Sequence, residues 1–208
     1  MRTVTGLKTK LCLVVALPCE AQPLVESLKL TRQKKSLPLR LYQNEFVALI
    51  ISGIGQTAVA SAVGYLAGRL EFGHQPPNWL NFGIAGHPTA QPGKLFLVDQ
   101  VSSSGSSWNY RVKSDCSTNL PRCNCLSANQ IEQEFNEPVL YDMECAGFFQ
   151  SALKFANAEH VYSAKLVSDN RQSGTGRLDK NSVVDLVRDA VPELMSNLIT
   201  PLINESGI

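Results

Sequence analysis

Predominantly apolar runs that end in small or polar residues recur along this chain and predict buried strands. Runs of this kind cover residues 11–17, 79–83, 95–101, 139–141 and 161–167. Residues 39–42 and 46–52 flank the polar tripeptide 43–45, which indicates a hairpin that leads into another core strand. Continuous apolar runs are typical of strands whose two faces are both covered.

Helical periodicity occupies the stretches between these runs. Helices are predicted over 20–29, 58–70 and 143–156, and from about Asn181 onwards. Ser182 and Asp185 resemble a capping box at the start of the last helix, and Pro192 is expected to kink it. The polar stretch 171–177 predicts a loop, whereas 102–122 is rich in Ser, Gly and Asn and predicts either a mobile loop or short, exposed strands.

Strands that alternate with helices predict an α/β protein: one domain with three α/β/α layers and a mostly parallel, mixed central sheet. The 208 residues suit a single domain, and no repeat or linker divides them. Ligands of such sheets bind beyond the carboxyl ends of the strands. The loops expected to meet on that rim are Pro18-Cys19-Glu20, Gly53-Ile54-Gly55, Ala85-Gly86 and Ser168-Asp169-Asn170.

Charge and cysteine usage exclude several classes of function. A formal net charge of +1 argues against binding nucleic acid or an anionic membrane, and no run of eighteen apolar residues spans a bilayer. Basic residues precede the run 11–17, but no signal-peptide cleavage site follows it, so a cytoplasmic location is predicted. Cys116, Cys123 and Cys125 offer three zinc ligands, but their spacing matches no common zinc motif; free thiols and no metal are predicted.

A glycine-rich turn raises the question of a cofactor. Gly53, Gly55 and Ala58 form G-x-G-x-x-A between a strand and a helix, as in a dinucleotide fingerprint. A structural turn, a loop for a different ligand and a true cofactor site remain open. Glu71 lies at the end of a helix rather than of the next strand, which disfavours the cofactor interpretation, and no cofactor is predicted.

Several acids lie at junctions between elements, and each has an ordinary structural explanation. Asp142 could cap the next helix with Glu144 in its first turn, where an acid is favourable. Asp169 follows a strand, where aspartate often forms turns, and Glu20 could simply start a helix. Taken one at a time, these acids leave capping and catalysis open.

The order of these segments is more specific than any one of them. It runs from the apolar strand before Glu20 through Ser52-Gly53-Ile54-Gly55, Asn81-Phe82-Gly83-Ile84-Ala85-Gly86 and Asp142-Met143-Glu144-Cys145-Ala146 to Ser168-Asp169. This set resembles the purine nucleoside phosphorylase/nucleosidase superfamily, and looks closest to its methylthioadenosine/S-adenosylhomocysteine nucleosidase branch. The resemblance implies one such domain over 1–208, with 102–125 irregular and shortened, because only 57 residues (87–143) separate Gly86 from Glu144.

The resemblance also implies roles for individual residues. Asp169 matches the acid that protonates the purine at N7, and Ser168 matches its positioning neighbour. Glu144 matches the acid that holds the ribose hydroxyls, with Met143 against the sugar. Glu20 matches the residue that orients and activates water. Ala85 and Gly86 are further candidates for substrate binding. Phe135 and Trp108 are considered as aromatic residues that could stack on the purine, but neither is assigned to it.

The function implied is that of a purine nucleosidase, which hydrolyses the N-glycosidic bond of an adenosine-type nucleoside or thio-nucleoside, as a homodimer without a cofactor. Phosphorolysis is the first alternative, but the stretches 17–22 and 79–82 lack the arginines that would hold phosphate. Arg111 or Arg171 could still fold in from loops. A catalytically inactive nucleoside-binding regulator is the second alternative, prompted by Ile84 in the small-residue turn and by the short middle segment.

Overall fold

The computed structural model describes residues 9–33, 39–70, 76–114, 116, 118–132, 134–173 and 179–205. Ten strands in these residues form one mixed sheet. They are β1 (Leu11–Val15), β2 (Thr31–Arg32), β3 (Arg40–Gln43), β4 (Val47–Ile51), β5 (Asn78–Gly86), β6 (Leu95–Ser103), β7 (Asn109–Arg111), β8 (Arg122–Ser127), β9 (Leu140–Asp142) and β10 (Val161–Asp169). The helices are α1 (Pro18–Ser27), α2 (Gln56–Arg69), α3 (Cys145–Ala152), α4 (Lys180–Leu194) and α5 (Thr200–Glu205), with a 3-10 turn at Ala158–His160 and a π turn at Met195–Ile199.

The centre of the sheet is parallel, in the order β4–β1–β5–β10. β3 and β2 extend one edge as antiparallel strands. At the other side β5, β10, β6, β8 and β9 pair in a closed circuit, because β9 returns to pair with β5 at Gly86 and Tyr141. The carboxyl ends of β1, β4, β5 and β10 therefore open on the same side, next to the end of β9.

Helices cover both faces of the sheet, which confirms the predicted three-layer α/β/α fold. One core packs Leu11, Leu13 and Val15 of β1 with residues of α1, α4 and α5. The other core packs Cys12 and Val14 of the same strand with residues of α2 and α3. Alternate residues of one fully buried strand thus serve opposite layers, as the period of two in a strand requires.

The largest local difference from the sequence prediction lies at the end of β5. Residues 84–86 were predicted as a turn, but they continue the strand and pair with Leu166, Val167 and Asp169 of β10. The small residues there fit close neighbours rather than a reversal of the chain. β8, at 122–127, was not predicted, because its alternating polar and apolar residues lie in a stretch dominated by Ser, Asn and Cys. β7 shows that the stretch 102–122 contains a short strand.

The last helix begins at Lys180, next to the predicted start at Asn181, but its N-cap differs from the prediction. Asp179, not Ser182, is the N-cap, and its Oδ1 accepts the N–H groups of Asn181 at 2.8 Å and Ser182 at 2.9 Å. α4 contains Pro192 and continues to Leu194, and the backbone then changes to the π turn. The helix predicted over 143–156 spans only Cys145–Ala152. Residues 174–177 of the predicted loop and Glu71 lie outside the described residues.

Within the described part of the chain, no helix combines the length and the apolar character that crossing a membrane requires. All six cysteines are free thiols. Cys116 belongs to the core beside α1 and α4, whereas Cys125 belongs to the opposite core and Cys123 packs against that core. The sheet therefore separates the sulfur atom of Cys116 from those of Cys123 and Cys125, which the zinc interpretation would have to bring together.

Candidate active site

The carboxyl ends of the central strands enclose a cavity of about 390 Å³. All seven residues singled out from the sequence line it: Glu20, Ala85, Gly86, Met143, Glu144, Ser168 and Asp169. Its other lining residues are Ala16, Leu17, Ile54, Ile84, Gln130, Ile131, Glu132, Phe135, Tyr141 and Asp142. Side chains separated by more than one hundred positions in sequence thus share one cavity, as the rim of a parallel sheet allows.

Glu20 lies at one end of the cavity and is 2% exposed. Its Oε2 accepts the N–H of Leu17 at 2.8 Å, the reciprocal half of a capping box, and its Oε1 accepts the N–H of Ile84 at 2.9 Å. Burial raises the pKa of Glu20 to about 7, against the opposing effect of these two N–H groups. Glu20 therefore lies in the first turn of a helix, as its structural explanation predicts. It also accepts a hydrogen bond from β5, and its pKa is raised to about 7.

Glu144 enters the cavity from the N-terminus of α3. Its Oε1 accepts the N–H of Gly55 at 2.7 Å, from a turn in which Gly53 and Gly55 both have positive φ. Burial, and then the charge of Asp142, raises the pKa of Glu144. The glycine turn therefore binds a carboxylate of the protein itself, which supports a structural and site-forming role for it rather than a phosphate site.

Close packing between α3 and the start of α2 makes this contact possible. A Cβ atom on Gly147 would lie 2.5 Å from the backbone oxygen of Gln56 and 2.7 Å from its Cα. Only a glycine allows the two backbones to approach so closely. This approach brings Gly55, the residue before α2, to the carboxylate of Glu144.

Asp142 and Glu144 are two positions apart but have different surroundings. The Oδ2 of Asp142 lies 2.6 Å from Nζ of Lys165, and it accepts the N–H of Cys145 at 2.8 Å. Burial would raise the pKa of Asp142, but the ammonium of Lys165 and the hydroxyl of Ser127 outweigh it and lower the pKa. Both acids line the cavity, but Asp142 also caps α3 and pairs with Lys165.

Sequence reasoning missed Lys165. It lies in the middle of β10, its side chain is 1% exposed, and a charged side chain is rarely buried so completely without a partner. A lysine inside the apolar run 161–167 was the available signal, because it requires a buried acid elsewhere in the chain.

Asp169 lies at the other end of the cavity, where β10 ends. Its Oδ1 accepts the hydroxyl of Ser168 at 2.5 Å, and that hydroxyl also lies 3.3 Å from the carbonyl oxygen of Ala85. Burial raises the pKa of Asp169, and the bond from Ser168 opposes the increase. Its Oδ2 lies 3.4 Å from the position that a Cβ on Gly86 would occupy, so this carboxylate oxygen lies beside the end of β5.

Of the two aromatic residues considered for the purine but not assigned to it, Phe135 lies beside the Asp169 end of the cavity. Phe135 is 1% exposed, lines the cavity and contacts Gly86 so closely that a Cβ there would collide with its ring. Its positive φ of 47° is rare for a residue with a side chain. Nη2 of Arg171 donates to the carbonyl oxygen of Phe135 at 2.5 Å, which ties Phe135 to the loop after Asp169. Trp108 stacks on Tyr110, away from the residues that line the cavity.

One group of side chains has metal-ligand chemistry. The ligand atoms of Cys125, Asp142 and Cys145 lie within 4.8 Å of one another in the core. Nζ of Lys165 already neutralises the carboxylate of this group, and burial raises the pKa of the Cys125 thiol well above its usual value. A protonated thiol and a lysine-paired carboxylate are poor zinc ligands, so these residues do not fit a metal site.

No protein-family model matches the chain, and no curated protein matches it in sequence. Solved structures do resemble it. 5′-Methylthioadenosine nucleosidase from Arabidopsis thaliana, in its apo form, has a TM-score of 0.74 at 18% identity, with 96% of each chain covered. A variant of the Chlamydia trachomatis nucleosidase bound to MTA has a TM-score of 0.69 at 22% identity, covering 96% of this chain and 100% of that one.

A third similar structure is a futalosine hydrolase mutant from Helicobacter pylori, with a TM-score of 0.69 at 13% identity, covering 95% of this chain and 99% of that one. The chain therefore has the nucleoside phosphorylase-like fold, as the order of its motifs predicted. At these identities the likeness establishes the fold, and the function has to be argued from the site itself.

Proposed function

We propose that this protein is a purine nucleosidase that hydrolyses the N-glycosidic bond of an adenosine-type nucleoside or thio-nucleoside. The observation that carries the proposal is the presence of three carboxylates with different surroundings in one cavity: Glu20, Glu144 and Asp169. Glycoside hydrolysis needs one acid for the leaving group and another carboxylate for the nucleophile. Pairs of acids whose environments differ are how a site provides both.

Asp169 is the proton donor for the leaving purine. Because burial raises its pKa, it carries a proton more readily than an exposed aspartate does. The proton passes to N7 of the base as the bond from N9 to C1′ breaks, so the base leaves uncharged. The hydroxyl of Ser168 holds one oxygen of Asp169, and the ring of Phe135 beside Gly86 provides an apolar wall for a flat purine.

Glu20 is the general base at the opposite end. With a pKa of about 7 it is part ionised at neutral pH and takes a proton from the water that attacks C1′. Glu20 approaches Gly83 and Asp169 approaches Gly86. These two glycines lie three residues apart on β5, a span of about 10 Å, which leaves room for a ribose and part of its base. The products are free base and the 1-hydroxy sugar.

Glu144 and Met143 hold the ribose between these two ends. Oε1 of Glu144 accepts one hydrogen bond, from Gly55. A carboxylate can accept several, so Glu144 can also accept hydrogen bonds from the 2′- and 3′-hydroxyls of the ribose. Met143 lines the same cavity and offers a flexible apolar contact to the sugar. Such contacts strengthen as the ring flattens toward an oxocarbenium ion.

Water is the better nucleophile than phosphate at this site. Among the described residues, the cavity lining includes several acids and neither arginine nor lysine. Arg111 is 3.6 Å from Asp99 with its side chain 79% exposed, and Arg171 donates to the backbone of Glu134 and Phe135. The two arginines considered as phosphate ligands therefore have other partners, and the acids of the cavity lining repel an anion.

Release of free base tests the proposal. The protein is incubated with methylthioadenosine, adenosylhomocysteine, adenosine and inosine, with and without inorganic phosphate, and Asp169→Asn protein purified in parallel controls for contaminating nucleosidases. We expect base release that does not depend on phosphate. Release only with phosphate changes the assignment to a phosphorylase, and binding without any release changes it to a nucleoside-binding regulator.

The proposal includes the sequence-based expectation of a cytoplasmic homodimer. Ile54 and Ile131 line the cavity and are 57% and 72% exposed, so part of the cavity wall is apolar and accessible. Sedimentation velocity in the presence and absence of a nucleoside measures whether the protein is a dimer.

A further inference from the structure

Three buried polar side chains, those of Ser127, Asp142 and Lys165, surround the start of α3; Asp142 also lines the cavity, whereas Ser127 and Lys165 lie outside its lining. Nζ of Lys165 is 2.6 Å from Oδ2 of Asp142, and the side chains are 1% and 0% exposed. Oδ1 of Asp142 accepts the hydroxyl of Ser127 at 2.5 Å, and the oxygen of that hydroxyl accepts the N–H of Ala146 at 2.8 Å. Together with the bond from Cys145 to Asp142, the first two N–H groups of α3 are both satisfied by this cluster.

This cluster joins two parts of the chain that the sheet does not pair directly. β10 carries Lys165 and ends at Asp169, whereas the junction between β9 and α3 carries Asp142 and Glu144. β9 pairs with β8 and touches β5 at one residue pair, and no pairing joins it to β10 among the described residues. The ion pair, with a weaker contact of 3.3 Å from Cys145 to Ser163, therefore links the strand of one cavity acid to the junction of another.

The cost of this arrangement argues that it does more than stabilise the core. Two charges that lose their water are stabilised only in part by their attraction, and well-packed apolar side chains often serve a core equally well. A buried pair does, however, impose one geometry, because each charge requires its partner at hydrogen-bond distance. Glu144, whose carboxylate accepts the N–H of Gly55, follows Asp142 by only two residues, so a fixed position of Asp142 restricts the backbone that carries Glu144.

We propose that Lys165 is a positioning residue, which holds Glu144 in the cavity through its buried ion pair with Asp142. This inference rests on the proposed function only for its kinetic readout. Lys165 does not line the cavity and would not touch the substrate. Substitution of Lys165 is expected to weaken binding of the ribose, which is the role proposed for Glu144. The proton donor Asp169 and the base Glu20 should stay in place.

A comparison of the single variant Lys165→Met with a double variant separates positioning from simple charge compensation. Lys165→Met leaves Asp142 buried without its partner, so both the melting temperature and the affinity should fall. Lys165→Met combined with Asp142→Asn removes both charges, so the melting temperature should recover to within a few degrees of wild type. If Lys165 positions Glu144, KM for the nucleoside stays roughly tenfold or more above wild type in the double variant.

Two further variants complete the design. Lys165→Arg keeps the charge and should restore most of the affinity, whereas Lys154→Met, at an exposed lysine on the surface, should leave KM and the melting temperature unchanged. Recovery of KM together with the melting temperature in the double variant overturns the proposal, because the pair would then serve stability alone.

The test also works if the proposed function fails. Should wild-type protein release no base from any nucleoside, the same variants are compared by the dissociation constant for adenosine in calorimetry. Should wild-type protein not bind adenosine either, a crystal structure of the double variant decides. Glu144 displaced from the N–H of Gly55 supports the positioning role, and Glu144 still hydrogen-bonded to Gly55 overturns it.

Discussion

The two ends of the cavity hold the same chemical group in different ways. At one end, Glu20 is almost fully buried and both of its oxygens accept backbone N–H groups, from Leu17 and Ile84. At the other end, Asp169 is partly exposed, and a neighbouring side chain, Ser168, holds one of its oxygens. Two backbone donors hold the carboxylate of Glu20, whereas no donor among the described residues binds the second oxygen of Asp169.

This difference suits the two roles that we propose for these carboxylates. Backbone N–H groups stabilise the charged form of Glu20 against a large desolvation cost, which leaves its pKa near 7, suitable for a base at neutral pH. Asp169 combines a raised pKa with a free oxygen that faces the space beside Gly86, which suits a donor to a leaving base. Position relative to the backbone, rather than residue type, distinguishes the two.

The largest effect is expected from Asp169→Asn. An amide cannot protonate the leaving base, so kcat for an adenine nucleoside should fall by about 10²–10⁴-fold. The dissociation constant for the nucleoside should change little, because the amide keeps the size and polarity of the acid. Single-turnover kinetics and calorimetry measure the two quantities. Asp189→Asn, at an exposed position on α4, is the matched control, and unchanged kcat in Asp169→Asn protein would remove Asp169 from its proposed role.

The next-largest effect is the dependence of the rate on pH, which tests the role of Glu20 at the other end of the cavity. Protonated Glu20 cannot accept a proton from water, so kcat/KM should decline as the pH falls below about 7, by roughly tenfold per unit. Glu20→Gln protein should retain only a low rate without this limb, whereas Glu193→Gln protein, altered at an exposed acid, should keep the wild-type profile. A wild-type profile that is flat from pH 5 to pH 8 would contradict the role of Glu20.

A smaller effect is expected where α3 meets α2. Gly147→Ala places a methyl group against the backbone of Gln56, which cannot yield without moving the start of α2 and the N–H of Gly55 that Glu144 needs. KM should rise several-fold, and stability should fall by about 1–3 kcal/mol. Gly64→Ala is the matched control, because nothing lies within 4 Å of its added Cβ; that change should be neutral or stabilising. Equal KM values for the two variants would show that this packing does not set the position of Glu144.

The three-layer fold and most of the residues in the candidate site could be predicted from the sequence, because both depend on local signals. Apolar runs and helical spacing report burial, and loops after parallel strands must share one edge, which is why Glu20 and Asp169 could be assigned to one cavity. The same local signals misled at residues 84–86, where small side chains indicate a turn and also allow close strand pairing.

What the sequence by itself determined was most of the elements and the side chains at their ends, because hydrophobic period and turn chemistry are properties of neighbouring residues. Only the tertiary structure decided the surroundings of each acid. The pairing of Lys165 with Asp142, the reach of Glu144 to Gly55 and the wall formed by Phe135 join residues that are distant along the chain. Such partners are selected by close packing and by the cost of leaving a buried polar group without a hydrogen bond, and neither is written in a local pattern.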